Sequence, residues 1–200
     1  MNNIPISISA RHIHLSREHV RQLFGANYEL TVFVELSQPG QYACNEQLTI
    51  KGSKGSIEDV RILGPARSIT QVEISKTDCF KLGIKAPVRN SGDIKDSPGA
   101  VLIGPAGSVE LSEGVIQAKR HIHMSPKDAD ELGVMDKQWV MVRIPGDRGI
   151  IFDDVLIRVN DQYNLDMHID TDEANAAGIK NGSFGELIAG VQSVQANPDD

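Results

Sequence analysis

Arg-His-Ile-His occurs twice in this chain, as Arg11-His12-Ile13-His14 and as Arg120-His121-Ile122-His123, and longer stretches around the two copies also align. Val72-Glu73-Ile74-Ser75-Lys76-Thr77-Asp78 through Leu82-Gly83-Ile84 matches Met167-His168-Ile169-Asp170-Thr171-Asp172-Glu173 through Ala177-Gly178-Ile179. Asp59-Val60-Arg61-Ile62 matches Asp154-Val155-Leu156-Ile157 in the same order. A repeat constrains the fold more than any local propensity does, because each copy must build an equivalent unit. The halves are expected at residues 1–113 and 114–191, with 192–200 a frayed tail.

A shorter pattern appears four times: a ligand-type residue, an apolar residue, Ser or Asp, then a brief helical stretch closed by Gly. The copies are His14-Leu15-Ser16 to Gly25, Glu73-Ile74-Ser75 to Gly83, His123-Met124-Ser125 to Gly133, and His168-Ile169-Asp170 to Gly178. Ser16, Ser75, Ser125 and Asp170 suit the N-cap, where a side-chain oxygen accepts from a free amide of the first turn. Asp78, Asp128 and Glu173 complete capping boxes, and Pro126 takes the favoured first helical position. Each candidate ligand therefore sits at a strand end, just before a capped helix. In a strand, residues i and i+2 share a face, so each His-x-His presents two imidazoles side by side.

Between these units, short Val/Ile-rich runs alternate with Gly, Pro, Asn and Asp turns, as in Val140-Met141-Val142-Arg143-Ile144. That spacing predicts a mainly β fold with short helices, a barrel or sandwich rather than a wound parallel sheet. Aromatic residues are only 4% of the chain, so the core must be aliphatic and base-stacking platforms are not expected. A net charge of −7 argues against nucleic acid or an anionic membrane as partner. No run approaches the ~20 apolar residues of a membrane span. Cys44 and Cys79 stand in no metal or redox spacing, which fits reduced thiols in a cytoplasmic protein.

Aligning the halves gives each histidine pair a third partner. His12, His14 and Glu73 form one metal-ligating set; His121, His123 and His168 form the other. Three ligands of this type leave a coordination position open, as in catalytic zinc sites. Arg67, after the turn Gly64-Pro65-Ala66, and Arg158, on an otherwise apolar strand, are candidate phosphate holders, because a guanidinium binds phosphate bidentately. No glycine-rich phosphate loop and no nucleophile elbow are present, so nucleotide-fold binding and covalent catalysis are not indicated.

The runs Arg11-His12-Ile13-His14, Thr70-Gln71-Val72-Glu73-Ile74-Ser75, Arg120-His121-Ile122-His123-Met124-Ser125 and Met167-His168-Ile169-Asp170-Thr171-Asp172-Glu173-Ala174-Asn175 resemble the PduL-type phosphate acyltransferases. Leu63-Gly64-Pro65-Ala66-Arg67 and Ala86-Pro87-Val88-Arg89-Asn90-Ser91-Gly92-Asp93 carry the same likeness, which runs from about Ile6 to about Leu187. The resemblance implies reversible transfer between acyl-CoA plus phosphate and acyl phosphate plus CoA, with a short acetyl or propanoyl group. It implies two β-barrels, the N-terminal strand joining the C-terminal barrel, and two zinc ions at their interface. Carried over by residue, it makes His12, His14 and Glu73 ligands of one zinc and His121, His123 and His168 ligands of the other. Arg67 becomes the phosphate-orienting arginine, Arg158, Gln71 and Ser91 further substrate contacts, and Phe80 the aromatic beside the CoA adenine. Only ten residues precede Arg11, and Ile4-Pro5-Ile6-Ser7-Ile8 reads as strand, so a cytoplasmic enzyme not targeted to a bacterial microcompartment is expected.

Two other readings stay open on the residues alone. A dinuclear zinc hydrolase would use metal-bound water where the transferase uses phosphate. A duplicated barrel holding structural metals would have no activity. Acyl chain length, a preference worth only ~1–3 kcal/mol per methylene, and the oligomeric state, a homo-oligomer included, are not legible.

Overall fold

The computed structural model describes residues 3–188, which form fifteen strands and four short helices. The tail expected at 192–200 lies outside the described residues. In chain order, β1 (Asn3–Ser9) comes first, followed by β2 (His12–His14), α1 (Arg17–Phe24), β3 (Val32–Glu35), β4 (Tyr42–Lys51) and β5 (Ser56–Gly64). Next are β6 (Gln71–Glu73), α2 (Lys76–Leu82), β7 (Val88–Arg89), β8 (Val101–Gly104), β9 (Gly107–Glu110) and β10 (Val115–Ala118). Then follow β11 (His121–Met124), α3 (Pro126–Leu132), β12 (Trp139–Ile144), β13 (Ile150–Val159), β14 (Asp166–Asp170), α4 (Thr171–Ala177) and β15 (Ser183–Ile188).

The chain divides into two compact units, with the breaks between Ser9 and Ala10 and between Ala118 and Lys119; Ser37–Pro39 belongs with the C-terminal strands. In the unit running from Ala10 to Ala118, nine strands form one sheet, ordered β7-β10-β6-β2-β5-β4-β8-β9 with β3 added on β4. In the other unit, six strands close a barrel in the order β1-β14-β11-β13-β12-β15. The first strand of the chain closes that barrel, parallel to β14 and antiparallel to β15. Its alternation explains why it holds there: Ile4 and Ile6 point inward at 0% and 1% exposure.

Each unit has its own core. One gathers Ile13, Leu15, Leu23, Ile50, Ile62, Leu82 and Leu102; the other gathers Ile4, Ile6, Ile122, Met124, Val142 and Ile157. Both are mostly aliphatic, as the scarcity of aromatics requires, with Phe152 an aromatic member of the second. Among the described residues no helix is long and apolar enough to cross a membrane.

The two units use the same local register around their histidines. β2 runs parallel to β5 with His12 beside Arg61, and antiparallel to β6 with His12 opposite Glu73. β11 runs parallel to β13 with His121 beside Leu156, and antiparallel to β14 with His121 opposite His168. Asp59 and Asp154, aligned in sequence, both take positive φ, at 56° and 49°. Aspartate is one of the few residues that tolerates this left-handed region.

All four expected helix starts are present. Ser16, Ser75, Ser125 and Asp170 are N-caps, and the last three close full capping boxes with Asp78, Asp128 and Glu173. Gly83, Gly133 and Gly178 end their helices in the left-handed conformation. These helices are only seven or eight residues long, too short to be stable alone. Their caps and their place behind the strand ends hold them, and that fixes where each ligand-bearing strand must stop.

Candidate metal and substrate centre

His12 and His14 lie on β2, between β5 and β6, and are buried together with Glu73 of β6. The Nδ1 of His12 donates to the carbonyl of Ala10 at 2.8 Å, which leaves the Nε2 lone pair facing Glu73 Oε2 at 3.4 Å. His14 Nε2 lies 4.0 Å from Glu73 Oε1, and one donor atom from each residue falls within 4.8 Å of the others. Two donors held ~2.0–2.2 Å from one ion in a tetrahedron stand ~3.3–3.6 Å apart, so the three side chains fit a divalent metal with small adjustment.

Glu73 is held by its other oxygen. Oε1 accepts from Gln71 Nε2 at 2.6 Å and from Ser91 Oγ at 2.8 Å. The Gly92 amide donates to Gln71 Oε1 at 2.7 Å, which fixes the orientation of the glutamine amide. Gln71 and Ser91, expected beside substrate, both hydrogen-bond this carboxylate.

In the other unit, His121 and His123 on β11 face His168 on β14. Their ring centroids are 4.6 Å, 5.2 Å and 5.0 Å apart in pairs, and Tyr163 packs on His123 at 4.2 Å. His121 Nδ1 meets the carbonyl of Lys119 at 2.8 Å, the same i−2 contact that orients His12. A fourth polar side chain shares this face. Asp166 lies opposite His123 in register, and its Oδ2 is 3.5 Å from His168 Nε2. Reasoning from sequence missed it. The available signal was alignment of Asp166-x-His168 with Gln71-x-Glu73.

The electrostatics divide the histidines. Burial pulls His14 down to about 3, helped by the charges of His12 and Arg67. Burial likewise lowers His123 to about 2, with His121, His168 and Arg158 adding to it. Both imidazoles are thus neutral at physiological pH, the form that binds metal. Burial also pulls on His12, but the Glu73 carboxylate outweighs it and its pKa moves up. Glu73 feels the opposite balance: burial would raise it, and the two histidines with Ser91 hold it well below the carboxylate range. Asp166 is raised by its burial.

The two arginines separate by unit. Arg67 exerts its charge on His12 and His14, and Arg158, beside His123 in register, acts on His123. Arg67 also lines an open cleft of about 450 Å³ with Ser16, Arg17, Glu18, Ala66 and Ser68. Its backbone amide donates to Leu15 at 2.8 Å, which ties it to the start of α1. The turn before it needs Gly64, because a Cβ there would fall 2.3 Å from the Tyr42 ring. Phe80, on α2, is 74% exposed, with Lys76 Nζ 5.7 Å from its ring centre. Both cysteines are free and buried, and burial pushes the Cys44 thiol up to about 11, so it offers no ready thiolate.

The repeated arginine has a different job. Arg11 grips Asp78 through Nε at 2.9 Å and Nη2 at 2.8 Å; Arg120 reaches Glu173 at 2.8 Å. Asp78 and Glu173 are the capping-box acids of the helices that follow Glu73 and His168. Each Arg-His-x-His strand is thereby clamped to the helix behind its third partner.

A protein-family model described as phosphate propanoyltransferase matches residues 5–180. The phosphate propanoyltransferase of Thermotoga maritima is 58% identical over 186 residues, which cover 92% of this chain and 89% of that protein. That of Priestia megaterium is 57% identical over 186 residues, 93% and 86% of the two chains. That of Listeria monocytogenes is 55% identical over 185 residues, 92% and 87% of the two chains. With the histidine-lined sheet and barrel in place, these likenesses make the chain an acyltransferase enzyme. It belongs to the phosphate propanoyltransferase family.

Proposed function

We propose that the chain exchanges the thiol of an acyl-CoA for inorganic phosphate by direct transfer, with a short acetyl or propanoyl group and a zinc ion at each histidine set. The observation that carries this reading is the matched register of two donor sets, one of them a buried His-His-Glu cluster that fits a divalent ion. The same correspondence supports an origin by duplication, with the nine-stranded sheet as the counterpart of the barrel. The relatives' name supports the substrates, CoA and phosphate.

Zinc, when bound, supplies a soft Lewis acid that stabilises the departing thiolate. The protein's part is positioning. Gln71 and Ser91 hold one oxygen of Glu73 and turn the other toward His12. His14 stays neutral and keeps a lone pair free. Arg67 and Arg17 line one cleft, and guanidiniums there would suit phosphate oxygens. A phosphate oxygen held there attacks the thioester carbonyl, the C–O bond forms, the C–S bond breaks, and the thiolate leaves. No acyl-enzyme is needed. Arg158 and Phe80 are read as further contacts to the CoA, Phe80 offering an exposed ring to the adenine. Localisation in the cytoplasm, outside a microcompartment, is part of the same proposal.

The test is release of free CoA from acetyl-CoA and propanoyl-CoA with and without phosphate, before and after chelation. Phosphate-dependent release that chelation abolishes is expected. Release that proceeds equally without phosphate would make the enzyme a thioester hydrolase. Arg67→Ala should lower kcat/KM ~10²-fold or more at unchanged metal content, the scale of losing one charged contact to developing charge.

A further inference from the structure

The segment from Pro65 to Thr70 joins β5 to β6 and carries Arg67. Pro65, Ser68 and Ile69 are exposed, and Thr70 alone of the segment is buried. Its Oγ1 accepts from the Ser16 amide at 2.9 Å and lies 2.7 Å from His19 Nδ1. A hydroxyl has one proton and two lone pairs, so it can serve both partners at once, whichever tautomer His19 adopts. His19 is in turn seated by the N-cap, its amide donating to Ser16 Oγ at 3.2 Å. At the other end of the segment the Arg67 amide donates to the Leu15 carbonyl at 2.8 Å, and Ser16 and Arg67 form a parallel bridge. Arg67 and Thr70, three residues apart, are thus both pinned to the Leu15-Ser16 pair that leads into α1.

We infer that Thr70, its hydroxyl oriented by His19, is a positioning residue that fixes where Arg67 stands in the cleft and so sets the use of phosphate. This rests on reading that cleft as the phosphate site and names the residues that hold it in shape. An arginine on an exposed loop has a long side chain and little packing to define its base, so the backbone anchors must do it. Ser16, Ala66, Arg67 and Ser68 all line the cleft, so the Thr70–Ser16 hydrogen bond joins one wall to the segment that forms the other. Valine at position 70 would keep the shape of the side chain and leave the buried Ser16 amide without that acceptor. A displacement of ~1 Å in a group that orients substrate costs ~10²-fold in rate, so small slack in this anchor is enough to be read kinetically.

The competing explanation is that Thr70 and His19 only secure the start of α1. Steady-state release of CoA from acetyl-CoA by the metal-replete protein, with phosphate and acetyl-CoA varied separately, distinguishes the two. Thr70→Val is expected to lower kcat/KM for phosphate ~10–100-fold while the KM for acetyl-CoA stays within ~3-fold and metal content is unchanged. Thr70→Ser, which keeps the hydroxyl, should recover phosphate use to within ~3-fold of the unmodified chain. Because Thr70 acts through Arg67, Thr70→Val added to Arg67→Ala should cost less than ~3-fold more. A Thr70→Val loss as large in the Arg67→Ala background as in the unmodified chain overturns the inference, and so does unchanged use of phosphate. If Thr70→Val does not fold, His19→Ala keeps the Thr70–Ser16 hydrogen bond and should lower kcat/KM for phosphate ~3–10-fold, with no further loss on top of Arg67→Ala. No loss in the unmodified chain, or the same loss in both backgrounds, then overturns the inference. Arg67→Ala that leaves phosphate use unchanged would instead overturn the reading of the cleft, and this inference with it.

Discussion

Glu73 turns Oε2 toward His12 while Oε1 accepts from Gln71 and Ser91. Removing the Gln71 amide leaves Oε1 held by Ser91 alone and lets the carboxylate turn more freely. Gln71→Ala is therefore expected to lower metal affinity of the first set ~10–100-fold while the ligands themselves remain, as read by competition with a chromogenic chelator. An unchanged affinity would leave Gln71 a bystander. A second residue-scale effect lies away from the site. Glu46 accepts from the Thr31 amide at 3.1 Å, the Thr31 hydroxyl at 2.7 Å and the Tyr28 hydroxyl at 2.9 Å. Burial would raise its pKa, but these hydrogen bonds hold it below the ordinary 4.5. A lowered folded-state pKa means that its stabilisation is full above the unfolded value and is lost as pH falls through the folded one. Glu46→Gln should flatten the acid limb of the unfolding curve as pH falls below about 5, and leave a lower, flatter stability above it. An acid limb as steep as the parent's would mean that other carboxylates set it.

The elements around the histidines are short, so their stability comes from what ties them together. Arg11 and Asp78 make one such tie: the carboxylate is 4% exposed, the guanidinium meets it through two nitrogens, and the acid already caps α2. A charged hydrogen bond of this kind contributes ~1.5–3 kcal/mol. A double-mutant cycle of Arg11→Ala with Asp78→Asn should return a coupling in that range by denaturant unfolding. The Lys127–Glu131 pair on α3, 83% and 66% exposed, should return less than ~0.5 kcal/mol. Equal couplings would remove Arg11 from the frame of the site. At this scale the sequence was informative. A polar residue, an apolar one, a capping Ser or Asp and a closing Gly marked all four helices and the strand-end residues His14, Glu73, His123 and His168 before them, because capping depends on neighbours within three residues. What it hid were pairings across the sheet. Arg11 reads as part of a motif and Asp78 as part of a cap; only the fold shows that they meet. Asp166 was hidden for the same reason, since Asp-x-His and Gln-x-Glu look unlike until a register lays one on the other.

At the scale of the whole molecule, closure of the barrel depends on a strand contributed from the other end of the chain. Nothing in residues 3–9 themselves says that they pair with β14 and β15 instead of with β2, their neighbour in sequence; the likeness to a family implied it, and periodicity could not. Ile4 and Ile6 are fully buried there, so without β1 the barrel would lose both side chains and open two strand edges. A fragment of residues 119–200 should therefore show no cooperative thermal transition by circular dichroism. The register indicates how to restore one. Ser7 lies beside His168, and His168 lies opposite His121, so β1 is two strands from β11, about 10 Å at the usual ~4.8 Å spacing. Parallel pairing with β14 brings Ser9 to the same end of the barrel as the start of β11. Four Gly/Ser residues reach ~13 Å when extended, enough to join Ser9 to Lys119 without strain. A chain of residues 1–9, that linker and residues 119–200 should melt cooperatively, and adding Ile6→Ala should cost it ~2–5 kcal/mol. If the joined chain stays unfolded, β1 and residues 119–200 are not sufficient for the barrel, and the Ser37–Pro39 segment, which the joined chain lacks, is the first part to restore.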